Sequence, residues 1–459
     1  LAVYFRILTH LAMKLMPLYA GLALAAGAPL ASAAQEVVAI RAGRLVDVER
    51  GAVLRDHLIV VRGGRITSVE PASARPPAGA RVIDLSRHTV VPGLIDCHAH
   101  LVGSILSASP AAPLETSAAE DAFAGVRNAR ATLLAGFTTV RDVGTYRALV
   151  DVALRDAIND GTVIGPRMAV AGAYVTVSGG GGEITGIASD VVLPRELRFG
   201  VANSADEVRE RVRLILNGGA DLIKLIATGA VSVPNSTPGA PEFTEAEMRA
   251  AVDEAGRQGK FVAAHAHGAA GIKMAVRAGV RSIEHASYLD DEGIALMKER
   301  GTWLVADIWN GEWFAAQGKQ DDWDPEILRK FAETTETQRA AFRKAVQAGV
   351  KIAYGTDSGI YPHGLNASQL PVMVKFGMTP MQAIQSATIE AARLLGWEDR
   401  VGSIAPGRWA DLVAVEGDAL ADLGRFMNPV LVMKGGRIYK EGRRGGAGEE
   451  RVVGSADAQ

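Results

Sequence analysis

Between residues 93 and 400 the chain repeats one unit: an amphipathic stretch, a glycine, then a short apolar run. The glycine stops fall at Ala135-Gly136, Gly218-Gly219, Gln258-Gly259, Ala278-Gly279, Arg300-Gly301 and Ala348-Gly349. Glycine is favoured just past a helix because it takes the left-handed conformation without a Cβ clash. The apolar runs that follow read TTVRDV, DLIKLIA, FVAAHAH, RSIEHA, WLVADI and KIAYGTD. LIDCHAH near 94–100 and RMAVAGAYVT near 167–176 bring the strands to eight. Eight strands alternating with helices predict an α/β fold, a (β/α)8 TIM barrel. A doubly wound open sheet is the alternative, but no GxGxxG opens a helix after the first strand.

Outside this region the pattern changes to short strands and tight turns. Gly63-Gly64 separates two alternating runs, a hairpin signal. The same "strand, GGRI" pattern returns at Val430–Tyr439 around Gly435-Gly436, and Ala410–Val415 is another short apolar run. Both ends of the chain are therefore expected to build one small β-sandwich domain, residues 34–92 and 401–445, with the 93–400 barrel inserted between them. Residues 446–459 read as a flexible tail.

The first 33 residues read as a secretory signal peptide with upstream residues. From Met13, a lysine precedes an apolar stretch that ends in Ala31-Ser32-Ala33, a small-x-small cleavage pattern. A membrane anchor is the weaker alternative, since Pro17 and Pro29 interrupt a short apolar run. The mature protein is expected to be exported, periplasmic or secreted, with no membrane association after cleavage. A net charge of −2 gives no electrostatic reason for nucleic acid as a partner, and 5% aromatic residues provide no base-stacking platform. The single cysteine, Cys97, excludes an internal disulfide, so stability must come from a packed core.

Catalytic groups of such a barrel sit at the C-terminal ends of the strands, and the polar residues here fall there. His98 and His100 are two apart on the first strand, so their imidazoles face the same way, as half a metal site would require. Lys224 is a lone charge in an apolar strand. A buried ammonium must be paired, neutralised or modified, and carbamylation by carbon dioxide is one solution. His265 and His267 end the fifth strand, His285 the sixth and Asp357 the eighth. Cys97 alternates with His98 and points away from the barrel interior. His10, His57 and His88 lie outside the barrel.

These motifs resemble the amidohydrolase superfamily over nearly the whole mature chain. The likeness rests on Pro92–His100, the strand-four lysine, the two later histidines, the strand-eight aspartate and the Gly402…Pro406-Gly407…Ala410–Leu412 return to the β-domain. GADLIKLIATGAV and VAAHAHG are similar to the branch of Xaa-Pro dipeptidase-like proteins, zinc carboxypeptidases and ochratoxin-hydrolysing amidohydrolases. The resemblance implies two divalent metals, zinc being the expected ion. His98, His100 and Asp357 would hold one, His265 and His285 the other, and carbamylated Lys224 would bridge them. His267 would be an active-site neighbour; spacing alone does not separate it from His265. Where that branch often carries a histidine after strand three, this chain has Ser178-Gly179-Gly180-Gly181-Gly182, read as a mobile loop over the site.

The implied function is cleavage of the amide bond of a dipeptide or N-acyl amino acid with a free carboxylate, ochratoxin-type amides included, by metal-activated hydroxide. Asp357 would move the proton to the leaving amine and His267 would steady the oxyanion. Arg141, Tyr174, Ser358, Tyr361 and His363 are candidate substrate contacts. A lactone, cyclic amide or phosphoester hydrolase is the alternative chemistry, and a catalytically silent exported binding protein is the alternative class. The resemblance also implies a homo-oligomer.

Overall fold

The structure, a computed structural model, describes residues 36–103, 111–188, 190–318, 320, 323–442 and 451–452. The expected signal segment 1–33 lies outside the described residues. Among those residues no helix is long and apolar enough to cross a membrane.

The two chain ends meet in one eight-stranded sheet. Its strands are β1 (Val37–Asp47), β2 (Ala52–Arg62), β3 (Arg65–Pro71), β4 (Arg81–Pro92), β13 (Leu412–Glu416), β14 (Leu431–Lys434), β15 (Arg437–Glu441) and β16 (Arg451–Val452), in the order β16-β15-β14-β13-β4-β1-β2-β3. β4 stitches the halves together: it runs parallel to β1 and antiparallel to β13, with Leu412 opposite Pro92. The pairing therefore joins both ends of the chain in a single continuous sheet. It packs over its own core, because Ile59, Val61 and Ile66 share one apolar cluster with Leu412, Leu431 and Met433. Each such side chain, once buried, contributes roughly 1.5–3 kcal/mol.

The repeated GGRI turns explain how that sheet meets itself. Gly63 and Gly64 have φ of 57° and 76°, Gly435 and Gly436 56° and 78°. Two successive positive φ values define the hairpin turn whose twist matches the strands. The two turns touch: a Cβ on Gly64 would meet the Gly435 carbonyl at 2.7 Å. Arg451–Val452 pairs with β15 as an edge strand, Lys440 opposite Val452 and Glu441 opposite Arg451; the rest of the expected tail 446–459 lies outside the described residues.

The remaining strands are β5 (Leu94–Ala99), β6 (Phe137–Asp142), β7 (Arg167–Val170), β8 (Tyr174–Val175), β9 (Ile223–Ile226), β10 (Val262–Ala266), β11 (Ser282–His285) and β12 (Trp303–Val305). They form parallel sheets β5-β6-β7 and β8-β9-β10-β11-β12. Backbone hydrogen bonds close the ring. Lys351–Ser358 pairs on one side with β12 through Leu304 and Ile352, and on the other with β5, where Cys97 N–H donates to Tyr354 O at 2.8 Å. Asp221 N–H donates to Val170 O across the opposite seam. With helices following the strands, this is the predicted barrel. All six predicted stop glycines, 136, 219, 259, 279, 301 and 349, have positive φ. Cys97 is buried away from the lumen, packed with Ala169, Ala391 and Leu394.

Candidate active site

The strand ends bring His98, His100, Lys224, His265, His267, His285 and Asp357 onto the wall of one cavity. Ligand atoms of His265, His267 and His285 all lie within 4.8 Å of one another, as do those of His98, His285 and Asp357. His285 is common to both groups, so the two potential metal positions adjoin.

Three of the imidazoles are oriented from behind. His98 Nδ1 donates to Glu284 Oε2 at 2.9 Å, His285 Nδ1 to Asp307 Oδ1 at 2.9 Å, and His100 Nδ1 to Gly144 O at 2.8 Å. With Nδ1 donating, Nε2 of a neutral ring carries its lone pair inward. Burial, helped by Lys224, lowers the pKa of His98, and burial pushes His267 down to about 3. Burial and the neighbouring His285 hold His265 well below the usual range.

A test of metal fit follows from these roles. Asp357 Oδ1 lies 3.4 Å from His98 Nε2 and 3.3 Å from His100 Nε2. Such contacts need positive charge between the two groups, which a proton on Nε2 supplies in the free site and a metal ion would supply when bound. Imidazoles plus a carboxylate are also the donor set that divalent zinc-type ions take. The residues present therefore fit a metal.

The backbone is strained at two of these residues. His285 has φ 69° and Asp357 φ 58°, the left-handed region. Such conformations persist only where the surroundings impose them. Asp357 N–H donates to His98 O at 2.7 Å, and Gln338 Nε2 donates to His285 O at 3.2 Å. Beneath Asp357, Asp96 accepts from the amides of His98 and Thr356 and from the Asn366 side chain, tying the first and eighth strand ends together.

Lys224 is 2% exposed. No carboxylate forms an ion pair with it among the described residues, and burial lowers its pKa to about 8. Of the five candidate substrate contacts, Tyr174 reaches the cavity wall, with its hydroxyl 3.2 Å from His100 Nδ1. The other four do not line it. Arg141 is fully buried under the floor, because its guanidinium pairs with Glu284 at 2.8 Å and donates to Cys97 O and Ser282 Oγ. Ser358 faces Asn366, 2.9 Å away. Tyr361 is buried in an aromatic cluster against Trp309 and Trp313. His363 Nε2 donates to His100 O at 3.1 Å and its Nδ1 accepts from Thr132 Oγ1. The glycine loop lines the cavity with Gly181 and Gly182, and it is tethered: Gly179 N–H donates to Glu183 and Gly181 N–H to Glu242.

Sequence reasoning missed Glu284 and Asp307. The signal was present for both. Glu284 is a lone charge in the apolar run RSIEHA, as Lys224 is in its own run, and Asp307 closes WLVADI at a strand end. Burial alone would raise the Glu284 carboxyl, but Arg141 and His98 outweigh it and hold the group ionised.

The model of the amidohydrolase family matches residues 89–439. The chain belongs to that family and is a hydrolase. Ochratoxinase of Aspergillus niger is 34% identical over 447 residues, covering 90% of this chain and 89% of the relative. A crystal structure of a Xaa-Pro dipeptidase with bound methionine in its active site is 41% identical, with a TM-score of 0.83 over 88% of this chain and all of that one. The crystal structure of the A. niger ochratoxinase has a TM-score of 0.80 at 32% identity, covering 89% of this chain and 96% of that one.

Proposed function

We propose that this protein is a binuclear metal-dependent amidohydrolase acting on dipeptides or N-acyl amino acids with a free carboxylate. The observation that carries the reading is the pair of adjoining ligand groups sharing His285, with a buried lysine on the same wall. His98, His100 and Asp357 would hold one ion and His265 and His285 the other. Lys224 would bridge as its carbamate: burial lowers its pKa to about 8 and so raises the share of neutral amine that carbon dioxide can modify. Divalent ions bound there would polarise the amide carbonyl and acidify water at neutral pH.

The chain's own residues supply the rest. Burial alone would raise the Asp357 carboxyl, but His98 and His100 outweigh it and keep it ionised, able to accept the proton of the attacking water and pass it to the leaving amine. His267, neutral and bonded through Nδ1 to Ser287 Oγ at 2.8 Å, is the candidate donor to the developing oxyanion. Tyr146, whose phenol burial pushes up to about 12, stays protonated and with Tyr174 offers hydroxyl donors for the substrate carboxylate. The cavity, about 140 Å³, fits a small molecule and not a folded chain. The catalytic unit is residues 93–400, with 34–92 and 401–445 as its β-domain, and the N-terminal 1–33 directs export.

The test is amine release from dipeptides and N-acyl amino acids by zinc-loaded protein, compared with Asp357→Asn. The variant should lose at least about 100-fold in kcat, the usual scale of general acid–base catalysis. Near-normal turnover in Asp357→Asn with both ions bound would remove the proton-transfer role.

A further inference from the structure

One wall of the cavity is a single stripe of the long helix Pro325–Ala348. Ile327, Phe331, Thr334 and Gln338 all line it, spaced by four, three and four residues. At the lower end Gln338 Nε2 donates to Asp307 at 2.8 Å, which in turn holds His285. Phe331 stands two turns further along, about 10 Å at 1.5 Å per residue. The stripe therefore runs from the metal-ligand end to an apolar end.

At that apolar end Ile327 and Phe331 meet Val231 and Ile360 in one hydrophobic cluster. The wall is braced behind by Phe314, stacked on Phe331 with ring centroids 3.7 Å apart. Among the described lining residues the charged side chains are Lys224, Asp307 and Asp357, besides the histidines, and all belong to the ligand end. A charged substrate group at the apolar end would be desolvated with no counter-ion, which is costly. An apolar group there would gain its transfer free energy against a preformed wall.

We infer that Ile327, Phe331, Val231 and Ile360 form a specificity subsite for an uncharged apolar group, aliphatic or aryl, carried on one side of the scissile amide. The inference rests on the amide-hydrolysis reading for the bond but not for the binding preference. Thr334, between Phe331 and Gln338, marks the passage from the apolar subsite to the reacting end.

The experiment uses the metal-loaded full chain and dipeptides X-Ala and Ala-X, with X phenylalanine, leucine, lysine or aspartate, and Ala-Ala as the reference. The readout is kcat/KM where amine is released and Kd by calorimetry where it is not. At one of the two positions phenylalanine and leucine should exceed lysine and aspartate by at least 100-fold. Phe331→Ala should narrow that preference about tenfold; Ile327→Ala serves if Phe331→Ala does not melt cooperatively. Binding of apolar peptides without amine release would retain the subsite and remove the amidase reading. Hydrolysis of lysine or aspartate peptides as fast as apolar ones at both positions would remove the subsite and retain the amidase reading. Neither binding nor hydrolysis of any peptide would overturn both.

Discussion

At the scale of single residues, the site depends on groups that never touch substrate. Glu284 turns the His98 ring so that Nε2 faces the cavity, and Arg141 keeps Glu284 ionised. Arg141→Met leaves a buried carboxylate without its partner, which should cost roughly 3–5 kcal/mol in chemical denaturation. Metal affinity should fall roughly 10- to 100-fold, as for other residues that orient a ligand. The double variant Arg141→Met/Glu284→Gln should recover part of the stability but not the affinity, because no charge is stranded yet His98 still lacks its carboxylate. Unchanged affinity in both variants would show that the pair does not orient His98. That the site's histidines, Lys224 and Asp357 share one cavity wall was legible in the sequence, because strand ends and period-two alternation fix which way a side chain points. Arg141 misled because a strand-end arginine reads equally well as a substrate contact or as a counter-ion. Only the position of Glu284, 143 residues away in sequence, decides between them.

At the scale of elements, the eighth barrel segment approaches the first so closely that a glycine is required. A Cβ on Gly355 would collide with the side chain of Val305 and with His98 Cβ. Gly355→Ala should therefore cost about 1–3 kcal/mol, the range for forced overpacking. It should also displace a metal ligand, so both melting temperature and metal content should fall. Loss of stability with full metal content would mean that His98 can shift without harm. The strand and helix alternation was readable from the stop glycines. The single sheet was not, because β4 pairs with both β1 and β13 and no local pattern records a partner more than 300 residues away. The helix Pro325–Ala348 was equally hidden as a cavity wall. Its stripe looks like any amphipathic face until the fold shows what it covers.

At the scale of the whole molecule, acid stability is a further readout. Burial pushes His363 down to about 4 from 6.5, so between those pH values the unfolded chain binds more protons there than the folded one. Its contribution is fully present above pH 6.5 and lost as pH falls toward 4. His363→Gln should show a smaller drop in melting temperature between pH 7 and pH 4 than the parent; an equal drop would mean that His363 does not couple to folding. Whether two ions act together on an amide is decided by stepwise addition of zinc to metal-free protein. Bound zinc and amine release from dipeptides are followed in the same samples. Two equivalents should bind, with turnover appearing chiefly with the second. Full turnover at one equivalent, or two bound equivalents with no amine released from any dipeptide or N-acyl amino acid, would contradict it.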